Sequence, residues 1–354
     1  MLLGTVSAVQ PVHGIEAIRI ATAGLLSFVV VLVAVPVVRR IALAKGITDR
    51  PRQDRWHKSP TPYLGGAALL VGALGSSAFL PRWNAEAITL VTGALVLAVV
   101  GLVDDFRTVS PVGRLVVEVG AASAAFFAGA RVQIFNDGVD FVLTVGWFVL
   151  VTNAFNLLDN MDGGMASIAA VVSAAIATVA LAEGQVLVGG LAVVTGAACL
   201  GFLLYNWHPA QIFMGDAGSL FLGFMLAATA LKLRPQVPHP TSVTGLVLLL
   251  SPALFDTSLV IVSRVRVGRS IFVGGTDHTS HRLMLLGHGQ RSTATMLAAV
   301  SMTLVTAAVL VSERRLNPVV AGVGVGILWV GAAIRLLRIP VYEASQTTSV
   351  TWAE

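Results

Sequence analysis

Charge is what this chain has least of: 12% of its 354 residues are Asp, Glu, Lys or Arg, about half of what a soluble domain carries. Cysteine occurs once, as Cys199 inside an apolar run, which excludes a disulfide framework and a thiolate metal site. No polar stretch is long enough for a soluble domain, and no internal repeat is visible. The first apolar run lacks both a basic lead-in and a small-residue cleavage pattern, so it reads as a retained helix rather than a secretory leader.

What the chain has instead is hydrophobicity, at 56% of residues with a mean hydropathy of +0.84. Apolar runs of about 17–22 residues, the length that crosses a hydrocarbon core as helix, lie near 16–38, 64–80, 87–103, 114–130, 141–157, 164–182, 186–205, 218–233, 243–263, 294–312 and 318–336. The expectation is an all-α, polytopic membrane bundle of about eleven transmembrane helices. Residues 1–338 read as one transmembrane catalytic domain and 339–354 as a disordered cytoplasmic tail.

Basic residues orient the bundle. With the N-terminus outside, 16 of the 23 Lys and Arg residues fall on inside segments and seven outside. The C-terminus is then cytoplasmic. The net charge of +5, placed this way, fits a membrane surface and not nucleic acid.

Five polar stretches interrupt the apolar sequence, and the same count puts all of them on the cytoplasmic side. They are DRWHKSPTPYLGG from Asp54, GLVDDFR from Gly101, NAFNLLDNMDGG from Asn153, FMGDAGS from Phe213 and TDHTSHR from Thr276. Carboxylates are concentrated there although the chain has only 18 acidic residues. Acids beside a hydrocarbon core are costly unless they bind a cation or do chemistry.

Asp104 and Asp105 end the third run, where adjacent carboxylates repel and one tends to share a cation or keep its proton. A pair of solvated helix-end charges is the plainer alternative. Asn153, Asn156, Asp159 and Asp162 recur every third residue, so they share one helical face and can turn into one pocket. Such oxygen donors suit Mg²⁺, which uses one or two carboxylates with substrate phosphates; a polar turn capping two helices is the alternative. In GDAGS, Gly215, Gly218 and Ser219 can bring backbone N–H groups to an anion at a helix start, with Asp216 as a metal ligand. A Gly-Asp turn with a Ser cap accounts for that stretch equally well. His278 and His281 lie near Arg264 and Arg282, whose forks match phosphate oxygens. Asp256, inside the ninth run, is given a supporting role, and His208 a structural one.

In this order the motifs resemble the polyprenyl-phosphate N-acetylhexosamine-1-phosphate transferases, which include the phospho-MurNAc-pentapeptide translocases. The resemblance runs from about Asp54 to Gly287 through PTPYLGG, VDDFR, NAFNLLDNMDGG, GFLLYNWHPAQIFMGDAGSLFLGF and the histidine loop. Eleven spans with a cytoplasmic C-terminus resemble the GlcNAc branch, and the pentapeptide branch's triple histidine is absent.

The resemblance implies transfer of an N-acetylhexosamine-1-phosphate, GlcNAc-1-phosphate foremost, from a UDP-N-acetylhexosamine to polyprenyl phosphate with release of UMP. It implies Mg²⁺, replaceable by Mn²⁺, on Asp216, Asn156 and Asp159. It gives catalytic roles to Asp104, Asp105, Asp159, Asp162, His278 and His281. Substrate contacts fall on Lys58, Asn153, Asn156, Gly215, Gly218, Ser219, Arg264 and Arg282, and a homodimer is compatible with the family. Three positions depart from the family pattern. Asn160 replaces a usual Gly, Arg114 a frequent Lys, and without consecutive histidines either His278 or His281 can take the histidine role. Two alternatives stay open: another UDP-amino sugar, including MurNAc-pentapeptide, or a transporter with an acidic cytoplasmic gate. A transporter predicts ionisable residues spread through the bilayer depth, whereas here they crowd one face.

Overall fold

A computed structural model describes residues 12–49, 60–233 and 237–342. In chain order they form α1 (Gly14–Ala44), β1 (Thr48–Asp49), β2 (Thr61–Pro62), α2 (Gly65–Ser77), α3 (Ala85–Phe106), α4 (Pro111–Ala128) and α5 (Asp137–Leu158). There follow α6 (Gly164–Ala182), α7 (Val186–Asn206), α8 (Gly215–Leu231), α9 (His239–Arg266), α10 (Thr279–Leu285), α11 (Gln290–Ser312) and α12 (Pro318–Leu336). Among the described residues, nine helices are long and apolar enough to cross a membrane, and α2 and α8 are shorter apolar helices. These correspond to the eleven expected runs, while α10 forms inside what the sequence reads as a loop. The chain is an all-helical, multi-pass membrane protein.

Local chemistry sets the helix starts. Asn84, Ser110, Asn136 and Asn317 each accept a backbone N–H of the following turn through their side-chain oxygens, satisfying donors the helix leaves unpaired. Pro111 and Pro318 fill first-turn positions where the missing N–H costs nothing.

The core is built around α8, in which every residue from Ala217 to Leu231 is buried. A helix apolar on all sides belongs at the centre of a bundle, and α3 and α5 pack directly on it. The outer helices turn bulky apolar side chains outward, such as Val116 at 65% and Leu328 at 67% exposure, as lipid-facing surfaces require. Gly101 sets the crossing of α3 with α8: a Cβ there would lie 2.3 Å from the Asp216 carbonyl oxygen. Only glycine permits that approach, and it lays the end of α3 against the start of α8.

The ribbon contributes at the same end. β1 and β2 pair antiparallel, Thr48 with Pro62 and Asp49 with Thr61. Beyond β2, the N–H groups of Gly65 and Gly66 donate to the carbonyls of Phe213 and Met214 at 2.9 and 2.8 Å, so PTPYLGG lies along the segment leading into α8. Lys58 lies outside the described residues. Past α12, Val341 is buried and Tyr342 is hydrogen-bonded, so the expected tail begins anchored; residues 343–354 lie outside the described residues.

Candidate functional site

The ends of α3, α5 and α8 meet at one point. Asp105, on the last turn of α3, accepts the Asp216 N–H at 2.8 Å and the Ala217 N–H at 3.3 Å. Its carboxylate thus caps α8, where free N–H groups and the helix dipole favour an anion. Gly215 makes room with φ +74°, and a Cβ there would lie 2.7 Å from the Asp105 carboxylate. In GDAGS, the expected phosphate cradle, the Asp216 and Ala217 N–H groups thus hold an internal carboxylate. Gly218 packs on α2, where a Cβ would lie 2.8 Å from the Gly66 Cα. Ser219 is fully buried and accepts the Asn156 Nδ2 at 2.8 Å. Gly218 and Ser219 are buried, and Gly215 is partly exposed beside Asp216.

Asn156 also donates from Nδ2 to Asp216 Oδ1, at 2.7 Å, tying α5 to α8. Asp159 caps the end of α5, and its carboxylate makes no hydrogen bond to the described residues. Burial, then the charges of Asp216, Asp105 and Asp162, pushes the Asp159 carboxyl up to about 7. Asp104 turns away from its neighbour and accepts the Val109 N–H at 2.7 Å, bracing the turn from α3 into α4.

Among the described residues, Arg114 is the cation paired with these acids. Its Nη1 lies 3.7 Å from Asp104 and 3.9 Å from Asp216, and its Nε lies 3.7 Å from Glu118. All three distances exceed hydrogen-bond length, so charge rather than directed bonding holds the guanidinium. Glu118 is 2% exposed and accepts the Asn153 amide, which also donates to the Val149 carbonyl at 2.9 Å. Asn153, expected to contact substrate, therefore links α5 to α4. In the sequence Arg114 stands out only as a departure from Lys, and Glu118 not at all. The available signal is a carboxylate one helical turn after an arginine, inside an apolar run.

The histidine loop folds as a buried bracket. His278 Nδ1 lies 2.8 Å from Asp256 Oδ2, whose other oxygen accepts the Thr279 N–H at 2.6 Å. A carboxylate in this position fixes the tautomer and aim of the ring. Asp277 accepts both Nε and Nη2 of Arg264, at 2.8 and 2.9 Å, and the Tyr342 hydroxyl at 2.8 Å. Burial raises the Asp277 carboxyl, but the arginine fork and the tyrosine outweigh it and bring it down to about 2. Arg282 is spent on the carbonyls of Asp277 and Leu336 and on Ser263 Oγ. Arg264 and Arg282, the expected phosphate grips, are both buried with their donors bonded within the protein.

His281 lies beside His278, with ring centroids 5.6 Å apart and the rings tilted by 47°. Next to it, Ser280 Oγ donates to Asn160 Oδ1 at 2.5 Å. Asn160, where the family pattern has Gly, thus fastens the acidic loop to the histidine loop. Asp162 is drawn the other way, to His208 Nδ1 at 2.7 Å and the Ala210 N–H at 3.0 Å. It braces the connection between α7 and α8.

Among the described residues no three His, Cys, Asp or Glu side chains are arranged to hold a metal. Mg²⁺ completed by substrate phosphates needs only one or two carboxylates. Asp216, 36% exposed at its side chain, and the unbonded Asp159 carboxylate are oxygen donors of that kind, so the residues present fit it.

Residues 87–234 match the model of glycosyl transferase family 4. The chain is 33% identical over 285 residues to a "Probable undecaprenyl-phosphate N-acetylglucosaminyl 1-phosphate transferase" of Bacillus subtilis (strain 168), covering 77% of this chain and 80% of that protein. It is 30% identical over 319 residues to a decaprenyl-phosphate N-acetylglucosaminephosphotransferase of Mycobacterium tuberculosis (strain CDC 1551 / Oshkosh), covering 78% and 79%. A phospho-N-acetylmuramoyl-pentapeptide-transferase of Halalkalibacterium halodurans is 30% identical over 242 residues, covering 60% of this chain and 74% of that protein. Likeness of this extent, on a bundle that gathers the expected acidic motifs at one end, makes the chain a member of glycosyl transferase family 4, within its polyprenyl-phosphate N-acetylhexosamine-1-phosphate transferases.

Proposed function

We propose that this enzyme moves N-acetylglucosamine-1-phosphate from UDP-N-acetylglucosamine to a polyprenyl phosphate at the cytoplasmic face, releasing UMP and starting a lipid-linked envelope glycan. The observation that carries the reading is the convergence of Asp105, Asp159, Asp216 and Arg114 at the ends of four helices. The names of the relatives supply the acceptor and the sugar, and the Lys and Arg asymmetry supplies the sidedness.

In the reaction an oxygen of the lipid phosphate bonds to the β-phosphorus of the nucleotide sugar. The bond from that phosphorus to the bridging oxygen breaks, and UMP leaves with that oxygen. A phosphate monoester has a second pKa near 6, so the attacking oxygen is largely ionised and needs no strong base. The main task is bringing two anions together.

Arg114, held by charge alone, is free to shift its donors onto the pyrophosphate. Asn156 fixes Asp216, and with Asp159 these residues would hold Mg²⁺, which when bound supplies further charge neutralisation on the pyrophosphate. Both oxygens of Asp105 are engaged by α8, which favours direct transfer over attack by this carboxylate. His278, aimed by Asp256, offers its other ring nitrogen to the substrate's phosphates.

The test is transfer of radiolabelled sugar phosphate from UDP-N-acetylglucosamine to an organic-extractable product. Label in the lipid phase only when polyprenyl phosphate is present supports the reading. Label that moves from another UDP-amino sugar, and not from this one, replaces the sugar.

A further inference from the structure

Between α6, α9, α11 and α12 lies a cavity of about 260 Å³. Its walls are almost wholly apolar and include Ile168, Phe255, Leu304 and Trp329. Val300 and Leu328, on facing rims, are 53% and 67% exposed, so the cavity opens sideways onto the lipid-facing surface between α11 and α12. Water has few partners in such a space, and an empty one forfeits packing. An apolar chain entering from the bilayer satisfies both conditions.

Most of the few polar groups at the inner end are already committed, although the buried Thr279 hydroxyl has no hydrogen-bond partner among the described residues. Asp256 is bonded to His278, and Asn160 to Ser280 and to the Leu157 carbonyl. None of Asp105, Asp159, Asp216 or Arg114 lines the cavity. A lipid whose phosphate must reach those residues is therefore a poor occupant, and a chain belonging to another lipid is a better one.

Charge indicates which lipid. Leu328, Ala332 and Leu336 form the cavity-lining stripe of α12. Arg335 continues that edge of the helix by the three-residue rule, and Arg338 follows one turn on. Both are exposed and neither has an ion-pair partner among the described residues. Paired arginines just beyond an apolar slot suit an anionic headgroup at the membrane surface.

We propose that this cavity seats one acyl chain of an anionic phospholipid, with its headgroup on Arg335 and Arg338. The chain would pack beneath Thr279, Ser280 and Asn160, supporting the contact that joins the histidine loop to the acidic loop. Excluding the acceptor lipid rests on the proposed function, whereas the apolar cavity and the two arginines require only a surrounding bilayer.

The full chain in phosphatidylcholine vesicles tests it, with Trp329 as reporter. The Trp329 signal is the emission difference between wild type and Trp329→Phe. Phosphatidylglycerol with brominated acyl chains is expected to quench that signal to saturation, at a mole fraction several-fold lower than brominated phosphatidylcholine requires. Arg335→Gln with Arg338→Gln, both at exposed positions, is expected to remove the preference while leaving the melting temperature unchanged. Quenching that rises in proportion to either lipid, without a headgroup preference, would overturn the proposal, as would no quenching at all. Relief of the quenching by unbrominated polyprenyl phosphate at equal mole fraction would also overturn it, assigning the cavity to the acceptor lipid.

Discussion

The Asp105 carboxylate grips the start of α8 through the backbone N–H groups of Asp216 and Ala217, so two acidic motifs 111 residues apart form one joint. Asp105 builds the site and Asp216 faces outward from it. The two asparagine substitutions are therefore expected to behave differently. Asp105→Asn weakens the cap by about 1 kcal/mol, lowering both melting temperature and turnover. Asp216→Asn keeps the wild-type melting temperature and loses at least ~100-fold in turnover. Thermal unfolding in detergent beside an activity assay separates them, and equal stability losses would contradict the division of roles.

Arg114 and Glu118 form a second pair. Glu118→Gln still offers an oxygen to Asn153 but removes the charge that steadies Arg114. The expected result is an unchanged melting temperature and a fall of about tenfold in kcat/KM, carried mainly by KM for the nucleotide sugar. Arg114→Ala is expected to lose about 100-fold or more, with Arg114→Lys between the two. Steady-state kinetics with the nucleotide sugar varied is the check.

Asp256 aims His278. Asp256→Asn is expected to cost about 10–100-fold in turnover, the usual scale for removing a carboxylate behind a working histidine. His278→Ala should cost as much, and the double variant little more than either alone. Additive losses would place the two residues in separate roles.

Asp277 gives the fold an acid-sensitive latch. Its folded pKa of about 2 lies below the ordinary aspartate value of about 3.9. The stabilisation is therefore complete above about pH 4 and is lost as pH falls towards 2, and it amounts to about 2–3 kcal/mol. Asp277→Asn is expected to melt lower than wild type at pH 7, with the gap closing progressively below pH 4. A gap that stays constant with pH would show that Asp277 acts through packing alone.

The bundle was legible because runs such as 164–182 and 186–205 are long, apolar and sharply bounded, and the helices α6 and α7 begin at those residues. The gathering of Asp105, Asn156 and Asp216 was legible as motif, since hard-oxygen side chains at the ends of apolar helices are costly unless they bind or react. Partner choice was not. Arg264 and Arg282 look like phosphate forks in sequence, yet Asp277, Ser263 and the α12 carbonyls take their donors. Asp162 looks like its neighbour Asp159, but the Ala210 N–H and His208 draw it away. Such pairings join residues 13 to 54 positions apart, and no local pattern records them. Glu118 belongs to no motif, and only its place one helical turn after Arg114 inside an apolar run marks it.

The most direct test is UMP release by the purified protein from UDP-N-acetylglucosamine, with and without polyprenyl phosphate, in Mg²⁺ and in EDTA. The account predicts UMP equal in amount to the lipid-linked product, absent without acceptor, abolished by chelation, and lost in Asp216→Asn. UMP formed without acceptor, or at undiminished rate in Asp216→Asn, would contradict it.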